Sequence, residues 1–233
     1  MAINLVKRAL KEGKVQYGTN LGQFRSQDAV KILAQAGFHW AVVDCEHGGF
    51  DLETVQDLCR IAPSVGFTPI LRVADMQYSL VARSLDVGAQ GIIFPRVESS
   101  ELLERAVSWC KFPPEGIRGF GLNAFHFNHE PLTMPEMIGH LNAHTMVVLQ
   151  IETKKALEAR EELLDVPGID AVMIGPADLS ISLGCPGDFQ SAAVVDAMEA
   201  IKESCDKRGI APGTQTRTLP MARFWRERGM RFL

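Results

Sequence analysis

The sequence sets ionisable side chains where runs of β-type residues end, in Asp44-Cys45-Glu46-His47-Gly48-Gly49, Gln150-Ile151-Glu152 and Gly175-Pro176-Ala177-Asp178. Gln150 and Glu152 are two residues apart, so on a strand both side chains point to the same face. Glu152 and Asp178 come from consecutive strand ends. Two carboxylates brought together need a cation between them, or one must take up a proton. No histidine or cysteine cluster competes for such an ion, and all-oxygen ligation selects Mg2+ or Mn2+, with Co2+ as a further candidate. Taken singly, each acid also has an ordinary structural reading. Asp178 can cap a helix, worth about 0.5–2 kcal/mol, and Glu152 can complement a helix dipole from the first turn.

Arg72 interrupts the apolar strand Pro69-Ile70-Leu71-Arg72-Val73. A buried guanidinium is costly unless an anion faces it. That anion is either a structural partner such as Glu46 or the developing oxyanion of a substrate. His47 follows Asp44 by three residues, near enough for a turn to set carboxylate against imidazole and raise its basicity for proton transfer. A plain loop histidine is the ordinary alternative. His140 and His144 are spaced i, i+4, a spacing that can bind zinc, but no third ligand accompanies them and solvated or dipole-complementing roles suit them better. His126 and His129 lie in a loop. Arg118 of Pro113-Pro114-Glu115-Gly116-Ile117-Arg118-Gly119 either binds a carboxylate at a pocket mouth or pins its own loop.

Positioning these groups is the task of an alternating strand–helix pattern, the mark of a parallel α/β fold. Strands are expected at Val15–Thr19, Trp40–Asp44, Pro69–Val73, Gly91–Phe94, Met146–Ile151, Ile169–Ile174, Ala211–Gln215 and Met230–Leu233. Helices are expected at Gln27–Ala36, Leu52–Val65, Ser79–Val87, Ser100–Lys111, Pro135–Ala143, Thr153–Leu164, Ala192–Arg208 and Leu219–Arg228. Eight such units predict a (β/α)8 TIM barrel occupying residues 1–233 as a single domain, lacking its last helix. Functional groups of that fold gather at the C-terminal strand ends. A bare last strand leaves apolar surface that a partner subunit or further chain would cover, so a homo-oligomer is expected, with its interface around strand eight and the helix Leu219–Arg228. Residues 112–133 form a loop rich in Pro, Gly, Asn and His, of the length typical of a lid or binding loop.

The bulk composition excludes several function classes. The chain has 233 residues, 46% of them hydrophobic and 22% charged, enough for a large core. A net charge of −4 and a pI near 5.9 give no electrostatic case for nucleic acid or an anionic membrane. No apolar stretch reaches the roughly 20 residues of a membrane span, and residues 1–14 lack the apolar core of a signal peptide. Five scattered cysteines without a CxxC pair suit a reducing cytoplasm and argue against a thiolate zinc site.

In order and in register, five motifs resemble the HpcH/HpaI family of class II pyruvate-dependent aldolases, which includes the 2-keto-3-deoxy sugar-acid aldolases. They are Val43-Asp44-Cys45-Glu46-His47-Gly48, Pro69-Ile70-Leu71-Arg72-Val73, the Pro113–Gly119 segment, Gln150-Ile151-Glu152-Thr153 and Gly175-Pro176-Ala177-Asp178-Leu179-Ser180. The resemblance covers essentially the whole chain. It implies cleavage of a 2-keto-3-deoxy or 4-hydroxy-2-keto acid to pyruvate and an aldehyde through a metal-bound pyruvate enolate. By the same resemblance Glu152 and Asp178 ligate the metal and Gln150 supports its water shell. The backbone N–H groups of Ala177 and Asp178 would hold the pyruvate carboxylate, as a helix N-terminus can. Arg72 would stabilise the enolate, and His47, oriented by Asp44, would act as acid and base. Phe120–His126 and Gly213–Thr216 depart from the commonest sugar-acid aldolases and are expected to shape the aldehyde end of the pocket.

Two rival readings compete with an aldolase. An acyl-CoA lyase uses the same barrel, but no basic cluster for a CoA diphosphate is visible in the sequence. A non-catalytic barrel that binds small acids needs no acid/base group, and His47, Arg72, Glu152 and Asp178 together argue against it.

Overall fold

The computed structural model describes residues 3–122, 124–127 and 129–233. Chain order runs α1 (Leu5–Lys11), β1 (Gly18–Leu21), α2 (Gln27–Gln35), β2 (Trp40–Asp44), α3 (Leu52–Ile61), β3 (Thr68–Arg72), α4 (Tyr78–Asp86), β4 (Gly91–Phe94), α5 (Ser100–Ser108) and α6 (Met134–His144). It continues with β5 (Met146–Ile151), α7 (Lys154–Glu158), α8 (Arg160–Leu164), β6 (Ala171–Ile174), α9 (Pro176–Ser182), α10 (Ala192–Asp206), β7 (Ala211–Thr214) and α11 (Leu219–Glu227). All seven strands are parallel and pair in chain order. Helix starts follow local chemistry: the Asp51 carboxylate accepts from Thr54 N–H at 2.8 Å before α3, and Pro176 opens α9 where its missing N–H removes no helical bond.

Strand alternation sorts the core into two layers. Trp40, Val42, Ile70, Ile93, Met146, Val148, Ala171, Met173 and Ala211 form one buried cluster, which Val6 and Leu10 of α1 join from below. The opposite parity, including Ala41, Val43, Leu71, Ile92, Val147, Leu149 and Val172, packs under the helices. The first cluster is the concave face of a curled sheet, and the same parity carries Asn20, Asp44, Arg72, Gln150 and Glu152 toward its C-terminal rim.

The expected closed eight-stranded barrel is not formed. The sheet has seven strands, and the segment expected as strand eight, Met230–Leu233, contributes only isolated bridges from Phe232 to Gln16 and to Gly213. Residues 231–233 are tied by backbone hydrogen bonds to Gln16 and Gly18 on one side and to Pro212 and Thr214 on the other, and the Phe232 ring stacks on Trp40 at 4.0 Å. The close approach of Phe232 requires a glycine at 213, where an added Cβ would fall 2.0 Å from the Phe232 carbonyl oxygen. For the same reason the first strand is not Val15–Thr19. Gln16 has only the bridge to Phe232, whereas Gly18–Leu21 pairs with Trp40–Val43.

The loop at 112–133 also lies elsewhere than a lid would. It follows a helix, and Phe125, His126 and His129 line a cavity with Asn4, which caps α1, and with Gln90 and Thr145, which precede β4 and β5. In this chain the loop therefore sits at the N-terminal strand ends, away from the carboxylates. Asn123, within the segment expected to shape the aldehyde end, lies outside the described residues. Arg118 pins the loop: its Nη2 donates to Asp86 at 2.7 Å and its guanidinium lies 4.7 Å over the Phe112 ring.

Candidate active site

Arg72 and Asp44 form the densest contact of the site. Arg72 Nε donates to Asp44 Oδ1 at 3.0 Å and Nη2 to Oδ2 at 2.6 Å, a two-pronged pair between adjacent strands with both residues buried. Asp44 Oδ1 also accepts from the backbone N–H groups of Glu46 (3.1 Å) and His47 (3.3 Å), and Asn20 Nδ2 reaches Oδ2 at 3.4 Å. Burial pushes the Asp44 carboxyl up, but the hydrogen bonds and charge of Arg72 outweigh it and hold it below the usual aspartate range. Glu46 Oε2 stands 3.1 Å from Arg72 Nη1, an ion pair without the alignment of a hydrogen bond. Burial works against the arginine's charge, yet Asp44, then Glu46 and Glu152, raise its pKa further.

The expected pairing of the Asp44 carboxylate with the His47 ring does not occur. Asp44 spends its oxygens on Arg72 and on backbone, so it shapes the turn that carries His47 and leaves the ring alone. That ring is 68% exposed, with Nε2 3.8 Å from Glu46 Oε1.

Glu152, 2% exposed, is held by three elements. Gln150 Nε2 donates to Oε2 from the same face of β5. The backbone N–H of Arg96, just beyond β4, donates to Oε1 at 2.9 Å. Arg96 has φ of 53°, left-handed backbone that a non-glycine residue adopts only under constraint. From β6, Gly175 leaves the room: an added Cβ would lie 2.6 Å from Glu152 Oε2. Burial, reinforced by Glu46 and Asp178, pushes the Glu152 carboxyl above the usual glutamate range, against the hydrogen bonds from Gln150 and Arg96. Gln150 Oε1 is buried and has no hydrogen-bond partner among the described residues. Asp178 sits in the first turn of α9 after Ala177, with a half-buried side chain.

The structure thus brings Asp44, Arg72, Gln150 and Glu152 into one buried layer, sets Asp178 and Ala177 beside it, and leaves His47 at the rim. Asn20, the Arg96 backbone and the room left by Gly175 enlarge the set that sequence reasoning selected, and Glu46 stands on Arg72 as the structural partner the sequence offered. Asn20 shares the concave parity of β1 and could have been found that way. Arg96 acts through its backbone and has no side-chain signal. Among the described residues, no group of three or more His, Cys, Asp or Glu side chains forms a ready metal cage. One guanidinium faces three carboxyl groups here, those of Asp44, Glu46 and Glu152, with Asp178 near enough to act on Glu152, and an acceptor on Gln150 is unspent, so the donor set fits a hard divalent cation with water in its remaining positions.

A parallel α/β sheet carrying buried carboxylates, an arginine and a histidine at its C-terminal rim has the make-up of an enzyme site for a small molecule. Known proteins narrow that class. The HpcH/HpaI aldolase/citrate lyase family matches residues 23–232. The 4-hydroxy-2-oxo-heptane-1,7-dioate aldolase of Klebsiella pneumoniae is 37% identical, over 99% of this chain and 86% of its own. That of Salmonella dublin is 35% identical over 99% and 87%. The HpcH/HpaI aldolase crystal structure from Desulfitobacterium hafniense superposes with a TM-score of 0.94 at 32% identity, covering 100% of this chain and 89% of that one. The chain belongs to the HpcH/HpaI aldolase/citrate lyase family. It is an aldolase, a carbon–carbon lyase.

Proposed function

We propose that the chain cleaves a 4-hydroxy-2-keto acid, the type of substrate named for its Klebsiella and Salmonella relatives, to pyruvate and an aldehyde with a divalent metal as cofactor. The observation that carries this reading is Glu152, 2% exposed at the end of β5, with the unpartnered Gln150 Oε1 beside it and Asp178 and Glu46 near enough to act on its charge. Glu152 and Asp178 would hold the ion, Mg2+, Mn2+ or Co2+, with Gln150 supporting its water shell. When bound, such an ion supplies a Lewis acid that lowers the cost of charge on a keto oxygen.

The remaining roles belong to the chain. N–H groups of Ala177 and Asp178, free of helical partners in the first turn of α9, hold the pyruvate carboxylate. His47 takes the proton from the C4 hydroxyl, the C3–C4 bond breaks, and its electron pair passes into the pyruvate enolate. Arg72, locked by Asp44, keeps N–H groups for the enolate oxygen, so the developing charge meets a donor that needs no reorganisation. Protonation of C3 then completes pyruvate. The free thiols and the absence of any helix long and apolar enough to cross a membrane among the described residues accord with work in the cytoplasm. Exposed Leu219 and Phe224 on α11 accord with a homo-oligomer.

Proton exchange at pyruvate C3 in deuterated water tests the reading. Added Mn2+ is expected to support exchange and aldol addition, and a strong chelator to abolish both. Full activity in chelator, with borohydride trapping a lysine–pyruvate adduct, would overturn it.

A further inference from the structure

His47 forms one wall of a cavity of about 330 Å3 that opens between the chain segments leaving β1 and β2. Gly22, Gln23 and Phe24 line it from the first segment, Asp44 and Gly48 from the second. Phe24 is 71% exposed. A single exposed phenyl is ordinary on a protein surface, but the chain around this one is tied down on both sides. Before it, Gly22 packs on the turn that carries His47: a Cβ on Gly48 would lie 3.1 Å from the Gly22 carbonyl oxygen and 2.1 Å from that of Asp44. After it, Arg25 Nη2 donates to the Gly49 carbonyl at 2.8 Å. Both ties end on the two glycines that follow His47. Phe24 is therefore held beside His47 by the neighbouring segment, with an apolar ring that no protein group covers fully.

The direction of the substrate follows from His47. It takes the proton of the C4 hydroxyl, so the chain beyond C4 lies in the cavity that His47 lines. Among the described residues, no lysine or arginine lines that cavity. Arg25, the nearest cation along the segment, is turned to the Gly49 carbonyl, and the one carboxylate, Asp44, is engaged by Arg72. An anionic tail would lose water there without gaining a partner, whereas an apolar tail would cover the Phe24 ring. We propose that Phe24 determines specificity for the aldehyde half and selects substrates whose tail beyond C4 is uncharged and apolar. This assignment rests on the aldolase reading above. Phe24 contacts the tail in it and takes no part in bond cleavage.

The test compares pyruvate addition to pentanal, 4-oxobutanoate and acetaldehyde, whose tails are apolar, anionic and too short to reach the ring. Wild-type kcat/KM is expected to be highest for pentanal. Phe24→Ala should raise KM for pentanal about tenfold, the scale of uncovering part of an aromatic side chain, with kcat little moved and acetaldehyde much less affected. Phe24→Leu should keep most of the preference. Phe24→Lys, at an exposed position that tolerates charge, should turn the selectivity toward 4-oxobutanoate, and added salt should weaken that gain. Wild-type preference for 4-oxobutanoate over pentanal, or an equal loss for all three aldehydes in Phe24→Ala, would overturn the assignment. Pyruvate C3 exchange by the wild type checks the underlying reading separately: exchange with no preference for pentanal sinks only Phe24, and no exchange sinks the aldolase mechanism.

Discussion

An arginine inside an apolar strand is a demand for anions, and in this chain the demand is met twice. Glu46 was the foreseeable partner of Arg72, and it stands there at 3.1 Å, but the tighter grip comes from Asp44 on the neighbouring strand. Register explains it, because Asp44 pairs directly with Arg72 across β2 and β3. Sequence spacing alone suggested Asp44 for the His47 ring, since the pairing of two strands is not written in local spacing. The consequence is an arginine whose orientation is set before substrate arrives. A lysine at 72 could neither span both Asp44 oxygens nor present further donors in the same plane. Arg72→Lys is therefore expected to lose about 100-fold or more in kcat for aldol cleavage, the range seen when one oxyanion donor is removed. Its fold, checked by circular dichroism, should persist. Near wild-type turnover in that variant would make Arg72 a structural residue only.

The placement of Glu152 is a property of elements. Its parity on β5 was legible, because Gln150 and Glu152 share a face with Met146 and Val148 and those two are core. What was not legible is that β4 and β6 finish the pocket, through a backbone N–H at Arg96 and through the missing side chain of Gly175. A glycine before proline reads as a turn, and nothing local says that a carboxylate occupies the space of its absent Cβ. The end of the sheet was also misjudged: alternation predicted an eighth strand, but Phe232 bridges its neighbours singly. The loop at 112–133 looked like a lid by length and composition, yet a segment that follows a helix in a parallel sheet returns to the N-terminal ends. Gly175→Ala should displace Glu152, because the new methyl carbon would lie 2.6 Å from Oε2 and 2.9 Å from its Cβ. Mn2+ affinity measured by calorimetry is expected to fall at least tenfold, with a stability loss of about 1–3 kcal/mol from overpacking. Unchanged metal affinity would remove Glu152 from the ligand set.

At the scale of the whole molecule, the rim that holds the chemistry is opposed by a buried polar floor. Lys7 of α1 reaches Asp170 at 3.0 Å and the Thr145 carbonyl at 2.8 Å, and Asp170 in turn accepts from Val147 N–H at 2.9 Å. Lys111 enters the same floor and donates to the carbonyls of Asn142 and Thr145. Lys7 thus pairs with Asp170, while Lys111 stands near both and feels the charges of Asp170 and Glu115. Burial first, then the charge of Lys7, pulls the Lys111 pKa down to about 8, with Asp170 opposing. The sign of the stability effect follows from proton counting. Between pH 8 and the unfolded value near 10.5, the unfolded chain keeps the Lys111 proton while the native chain releases it, so native stability due to this group rises with pH through that window. The full effect is on the order of 3 kcal/mol. Titrating groups remote from Lys111 cancel in the difference between wild type and Lys111→Met, whose side chain has similar length and no charge. Urea unfolding of both at pH 7 and pH 10 should show the wild type gaining on the variant by about 1–3 kcal/mol. A difference that stays flat, or moves the other way, would mean that Lys111 remains an ordinary charged lysine in the floor of the sheet.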